Sequence, residues 1–117
     1  MILVKKNNTL IYKEKKYRCS LGKNGLNKAK TEGDKCTPIG LFSFGSLYVR
    51  TDRIKKLKTN FKYIPISKTM AWSDEPNSKD YNKLINVNYL HKEILYRTDH
   101  IYDLILVFVL AYVLHQI

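Results

Sequence analysis

Over the first two-thirds of the chain, apolar and polar positions alternate in short stretches. Thr9–Tyr12 and Tyr17–Leu21 flank the charged run Lys13-Glu14-Lys15-Lys16, which predicts two strands joined by a hairpin loop. Gly22–Pro38 is rich in Gly, Lys and Asn and reads as a long loop. Gly40–Arg50 is aromatic and β-branched, with Leu41-Phe42-Ser43-Phe44 alternating, and predicts a strand. Asp52–Lys58 predicts a short helix with Thr51 as its N-cap. Pro65 holds Ile64–Ile66 extended. Ser67–Asn82 reads as a second long polar loop around Trp72, and Ile94–Arg97 is short and mixed.

The C-terminal stretch differs in kind. Ile101–Ile117 contains one acid, Asp103, and Leu104–Leu114 is an unbroken apolar run of eleven residues. A membrane span needs about 20 apolar residues, so this run is short for one. A buried strand of about 5–8 residues accounts for Tyr102–Phe108 and leaves Val109–Ile117 without an assignment.

The chain has 117 residues, enough for one domain. Apolar residues at 44% and charged residues at 26% match globular usage and exclude wholesale disorder. Two cysteines exclude a disulfide-built miniprotein and, by themselves, a zinc finger. Lys and Arg total 21 against 10 Asp and Glu, a net charge of +11. Such a balance implies weak, sequence-independent attraction to polyanions, whether nucleic acid or wall polymer. The lysines are scattered without a dense basic block, however, so a solvated surface is the simpler reading. No helix-turn-helix, zinc-finger or ribonucleoprotein signature accompanies the charge. At the N-terminus Ile2-Leu3-Val4 precedes Lys5, too short an apolar core for a secretory leader, so no export signal is expected in this segment.

Long loops with special residue types usually carry a shaped site. The first holds Gly22 and Gly25, then Lys30-Thr31-Glu32-Gly33-Asp34-Lys35-Cys36-Thr37-Pro38-Ile39-Gly40-Leu41-Phe42. The second holds Trp72-Ser73-Asp74-Glu75-Pro76 and then Tyr81-Asn82. A third block is Tyr96-Arg97-Thr98-Asp99-His100-Ile101-Tyr102-Asp103. Gly33 and Gly40 permit backbone conformations that other residues avoid, Pro38 presets an extended lead into the following strand, and Asp34 and Thr37 can satisfy loop amides. Trp72 suits either an anchor for its loop or a wall of a cleft. Asp74 and Asp99 suit capping or pairing with Lys or Arg.

In this order the three blocks resemble the L,D-transpeptidase catalytic-domain family, over about residues 9–107. The resemblance implies a mainly β fold, a β-sandwich with long loops and little helix, in which the strand from Tyr102 is central and covered on both faces. It implies a peptidoglycan-modifying acyltransferase that acts on stem peptides in the cell envelope and needs no cofactor or metal. On this resemblance the family-motif positions that shape the loops or line the cleft are Gly22, Gly25, Glu32, Gly33, Asp34, Thr37, Pro38, Gly40, Trp72, Asp74, Tyr81, Asn82, Arg97, Asp99, Tyr102 and Asp103.

The family's nucleophile is a cysteine, activated by a His and held within Thr-x-Gly-Cys downstream of the Tyr-Asp strand. No such segment occurs in these 117 residues. Cys36 stands where the family has no nucleophile, and Cys19 falls in a predicted strand as a small hydrophobe. His91, His100 and His115 lack the family context, although Tyr112-Val113-Leu114-His115 is faintly similar to its His-bearing strand. The expectation is therefore a family domain over residues 1–107 without catalytic residues, followed by a divergent apolar tail at 108–117. A truncated or frame-shifted gene and a short membrane anchor both account for such a tail, which is expected to self-associate or contact lipid.

Overall fold

The computed structural model describes residues 1–28 and 31–112. Among these residues the regular structure is all strand, with no helix, so the chain is mainly β. Two units divide it: Met1–Phe42 together with the end of the last strand from Leu110, and Ser43–Val109.

In the first unit β1 (Ile2–Lys5), β2 (Thr9–Tyr12) and β3 (Lys15–Arg18) form an antiparallel meander. The loop between β2 and β3 shrinks from the expected four residues to Lys13 and Glu14, both left-handed at φ 47° and 66°. Two left-handed residues give a turn whose twist matches paired strands, so Lys15 pairs with Tyr12 and β3 begins early. Charged Lys15 and Lys16 are thus strand residues, and Cys19 lies just past the strand rather than in it. The stretch expected as one long loop, 22–38, carries a short parallel pair, β4 (Leu26–Asn27) and β5 (Thr37–Pro38).

The second unit centres on β6 (Leu41–Val49), which follows the alternation expected of Gly40–Arg50. Leu47, Tyr48, Val49 and Arg50 are all buried, so the end of β6 is covered on both faces. It pairs in parallel with β7 (Tyr63–Pro65), where Pro65 sits on an edge strand that can spare an amide. The helix expected at Asp52–Lys58 does not form. The amides of Arg53 and Ile54 both donate to the Arg50 carbonyl, closing one turn, and the chain then leaves helical geometry. Short helices depend on an apolar face to pack, and Ile54 and Leu57 are too few beside three lysines.

The second expected loop, Ser67–Asn82, holds a strand instead. β8 (Met70–Ser73) is the middle strand of an antiparallel sheet in the order β10-β8-β9, with β9 (Leu84–Asn86) and β10 (Lys92–Ile94) beside it. Every β8 residue is buried or half-buried. The core cluster is Tyr48, Ile66 and Leu95, with Met70, Trp72, Tyr96, Tyr102, Ile105 and Val107 packed against it.

The last strand, β11 (Leu104–Tyr112), starts two residues later than expected and runs on through Tyr112. It is not central: in the order β11-β6-β7 it is an edge among the described residues. Nor is it covered on both faces, since Leu104, Phe108 and Val109 are exposed. Residues 113–117 of the expected tail, His115 among them, lie outside the described residues. Among those described, no helix is long and apolar enough to cross a membrane.

Candidate functional site

The first motif block folds as a cross-braced loop. The Gly22 amide donates to the Thr37 hydroxyl at 2.7 Å, and the Thr37 amide donates to the Gly25 carbonyl at 2.8 Å. Gly22 is a point of close approach: a Cβ there would stand 2.5 Å from the Lys35 carbonyl oxygen and 2.6 Å from the Cys36 carbonyl carbon. Gly25 and Gly33 meet no such neighbour and are glycines for their positive φ of 81° and 82°. Asp34 ties the loop from inside, its carboxylate accepting from the amides of Thr31 and Cys36 at 2.7 and 2.8 Å. Pro38 ends β5, Gly40 is half-buried just before β6, and Glu32 is on the surface. Lys30 lies outside the described residues. The Cys36 sulfur faces the carbonyl oxygens of Asp34 and Asn24 at 3.6 and 3.8 Å.

The Trp72 block makes a second brace. The indole N–H donates to the Asn82 side-chain oxygen at 2.8 Å, while the Asn82 amide donates to the Ser73 carbonyl at 3.0 Å. Asn82 sits at φ 59°, a region Asn tolerates better than most residues. Tyr81 is half-buried and Asp74 is exposed.

The third block is densely bonded. Arg50, 3% exposed, forks onto Asp52 through Nε and Nη2 at 2.9 and 2.8 Å and gives Nη1 to the Arg97 carbonyl at 2.6 Å. Its guanidinium stacks 3.7 Å from the Tyr96 ring centre, and the Tyr96 hydroxyl donates to Asp52. Arg53 donates to the carbonyls of Arg97, Thr98 and Asp99 and to the Asp103 carboxylate at 2.8 Å. Two guanidiniums therefore cap three successive carbonyls of the 97–99 turn. Arg97 in turn forks onto Asp99, whose carboxylate also accepts from the Ile101 amide. His100 Nδ1 lies 2.8 Å from Asp103, and the Tyr102 hydroxyl donates to Glu93.

The third motif block holds Tyr96, Arg97, Asp99, Tyr102 and Asp103, but the motifs do not include their partners Arg50, Asp52, Arg53 and Glu93. The available signal was the Arg50-Thr51-Asp52-Arg53 cluster directly after a hydrophobic strand, where charges at a buried end demand compensation.

These pairings set the electrostatics. The Arg97 guanidinium bonded to Asp99 holds its carboxyl down at about 2. Arg53, with His100, lowers Asp103, and Arg50 lowers Asp52. Burial, then the hydrogen bond to Glu93, pushes the Tyr102 hydroxyl up to about 12. Carboxylates depressed in the folded state stabilise it above their unfolded values, about 4, and that stability is lost as pH falls through their folded values. The expected outcome is a urea midpoint that is flat near neutrality and declines between about pH 4 and pH 2. Solvent around the half-exposed Asp52 and Asp99 limits the amplitude. In Asp99→Asn that acid decline should be shallower; an unchanged decline would remove Asp99 from the account.

Chemically, the described blocks brace and position. Among the described residues no group of three or more His, Cys, Asp or Glu side chains is arranged to hold a metal ion. A family model described as the L,D-transpeptidase catalytic domain, YkuD, matches residues 1–102, which takes in the first two motif blocks and the third as far as Tyr102. No curated protein and no solved structure matches the chain. With most of its length matched by that model, the chain belongs to the L,D-transpeptidase catalytic-domain family.

Proposed function

We propose that this chain is the cleft-bearing scaffold of a peptidoglycan L,D-transpeptidase and carries out no acyl transfer with these 117 residues. Family membership supports peptidoglycan as the substrate class. In such chemistry a thiolate attacks a stem-peptide carbonyl, a D-amino acid leaves, and the acyl group passes to an amine of another stem. The thiol needs a base to take its proton and donors to hold the oxyanion.

The observation that carries the proposal is the setting of Cys36. Both of its sulfur contacts are carbonyl oxygens, which accept from an S–H and give a thiolate no donor. Its own amide is engaged by Asp34, which brings a negative charge to the same turn. This arrangement supports a structural role for Cys36, and the sequence holds no Thr-x-Gly-Cys segment to supply another nucleophile. Trp72, Tyr81 and Asn82 are the residues we assign to the cleft wall, with Arg97, Asp99 and Asp103 fixing the turn beside β11.

The test is release of D-amino acid from a purified disaccharide tetrapeptide incubated with the chain. No release is expected. Turnover that disappears in Cys36→Ala would overturn the proposal.

A further inference from the structure

The first unit is far more basic than the second. Residues 1–42 hold ten Lys and Arg against three Asp and Glu, whereas residues 43–117 hold eleven against seven. The two units also use their charges differently. Arg50, Arg53 and Arg97 are all spent on internal carboxylates and carbonyls. Arg18, the remaining arginine, has no ion pair among the described residues, and neither do Lys5 and Lys16.

The strand register gathers these three. Lys5 lies opposite Thr9 and Thr9 opposite Arg18, so the row Lys5-Thr9-Arg18 crosses one face of the β1-β2-β3 sheet. Leu3, Ile11 and Lys16 form the next row on that face, because side chains alternate along each strand. Sheet geometry places Lys5 about 10 Å from Arg18 across two strand spacings, and Lys16 about 7 Å from Arg18 along β3. At the Arg18 end of the row lies an open recess of about 440 Å³ lined by Asn8, Arg18, Cys19 and Ser20. Its lining offers a guanidinium, an amide and a hydroxyl, and no carboxylate.

From this we infer that the face of the β1-β2-β3 sheet that carries Lys5, Lys16 and Arg18 docks an anionic polymer of the cell wall, with one phosphodiester group in the Arg18 recess and neighbouring phosphates on Lys16 and Lys5. Charge complementarity selects an anion. The several donors around one recess suit a phosphate, which presents more acceptor oxygens than a carboxylate, and an arginine fork binds such a group in two-point fashion. A chain of phosphates rather than a single ion matches three cations spread over two rows. The inference rests on the peptidoglycan reading, which puts the chain in the wall. It adds a second surface that holds the protein to the polymer bed around its substrate.

The experiment is co-sedimentation of the full chain with purified sacculi, either intact or stripped of phosphodiester-linked polymer by hydrofluoric acid. Retention on intact sacculi and its loss on stripped ones is expected. Three phosphate contacts, each contributing about 0.7–0.9 to the log–log salt slope, correspond to roughly a 20- to 40-fold fall in affinity between about 50 and 200 mM salt. The triple variant Lys5→Gln, Lys16→Gln, Arg18→Gln should lose that component. The equally charge-reduced variant Lys55→Gln, Lys56→Gln, Lys58→Gln should keep it. Equal loss in both variants, undiminished retention on stripped sacculi, or equal displacement by single-stranded DNA would each overturn the inference. A chain that releases no D-amino acid and is not retained fails here alone, and one that is retained but shows Cys36-dependent turnover fails only in the function proposed above.

Discussion

Leu95→Ala is expected to cost about 2–5 kcal/mol, the range for emptying a well-packed leucine site. Leu95 is 3% exposed and forms the core cluster with Tyr48 and Ile66. Its amide also donates to the Met70 carbonyl, so its backbone is tied to β8. Few residues share the load: the buried hydrophobic side chains of the described chain are Leu47, Tyr48, Val49, Ile66, Ala71, Ile85 and Leu95. Domains are stable by only about 5–15 kcal/mol, so this one truncation removes a large fraction of the total. At about 4–8 °C per kcal/mol for a domain near this size, the melting midpoint should fall by roughly 10 °C or more. The single tryptophan, Trp72, packs against the cluster and reports the transition by fluorescence. Leu95→Met conserves volume and should cost less than about 1.5 kcal/mol. If the two variants melt together, the cluster is not where the second unit holds its stability.

That core was only partly legible in the sequence. β6 could be read because its alternation is local and its aromatic and β-branched residues favour a strand. β8 could not. Met70-Ala71-Trp72-Ser73 lies in a polar stretch, and what makes it a strand is the pairing of Ala71 with both Ile85 and Ile94, which no local pattern records. β3 was misplaced for a related reason. A two-residue left-handed turn at Lys13-Glu14 sets its register, and neither residue is a usual choice for that conformation.

The motif loops show the same division. The glycines, Asp34 and Thr37 act within about fifteen residues of one another and could be recognised as a block. The charged network could not, because, apart from the local Arg50–Asp52 pair, Arg50 and Arg53 meet partners 44–50 positions away. From sequence, Arg97 and Asp99 were half of an arrangement whose other half looked like the start of a helix.

Gly22→Ala is expected to undo the first motif loop while leaving the second unit's core intact. The added Cβ would lie within 3 Å of backbone on the far side of the loop, at Lys35 and Cys36, and backbone there cannot swing aside as the tip of a side chain can. The bonds that close the loop cross the same gap: Gly22 N–H to the Thr37 hydroxyl, Asn24 N–H to the Lys35 carbonyl, and Thr37 N–H to the Gly25 carbonyl. Separating the two sides enough to admit a methyl group stretches all three. Overpacking of this kind costs about 1–3 kcal/mol, equivalent to roughly a 5- to 150-fold rise in local opening. Among the described residues, the buried hydrophobic side chains all lie in the second unit, so little else described in the first holds the loop. Hydrogen exchange is the fitting measurement, because it reads opening amide by amide. Protection should fall at Asn24, Gly25 and Thr37, with Ile66, bonded to the Val49 carbonyl, as the internal reference. Gly25→Ala separates the two roles of glycine: nothing lies within 4 Å of its added Cβ, and only its φ of 81° opposes the change. Its cost should be the smaller, about 1–2 kcal/mol. A Gly25→Ala effect as large as that of Gly22→Ala, or an equal loss of protection at Ile66, would defeat the argument that close backbone approach at Gly22 shapes this loop.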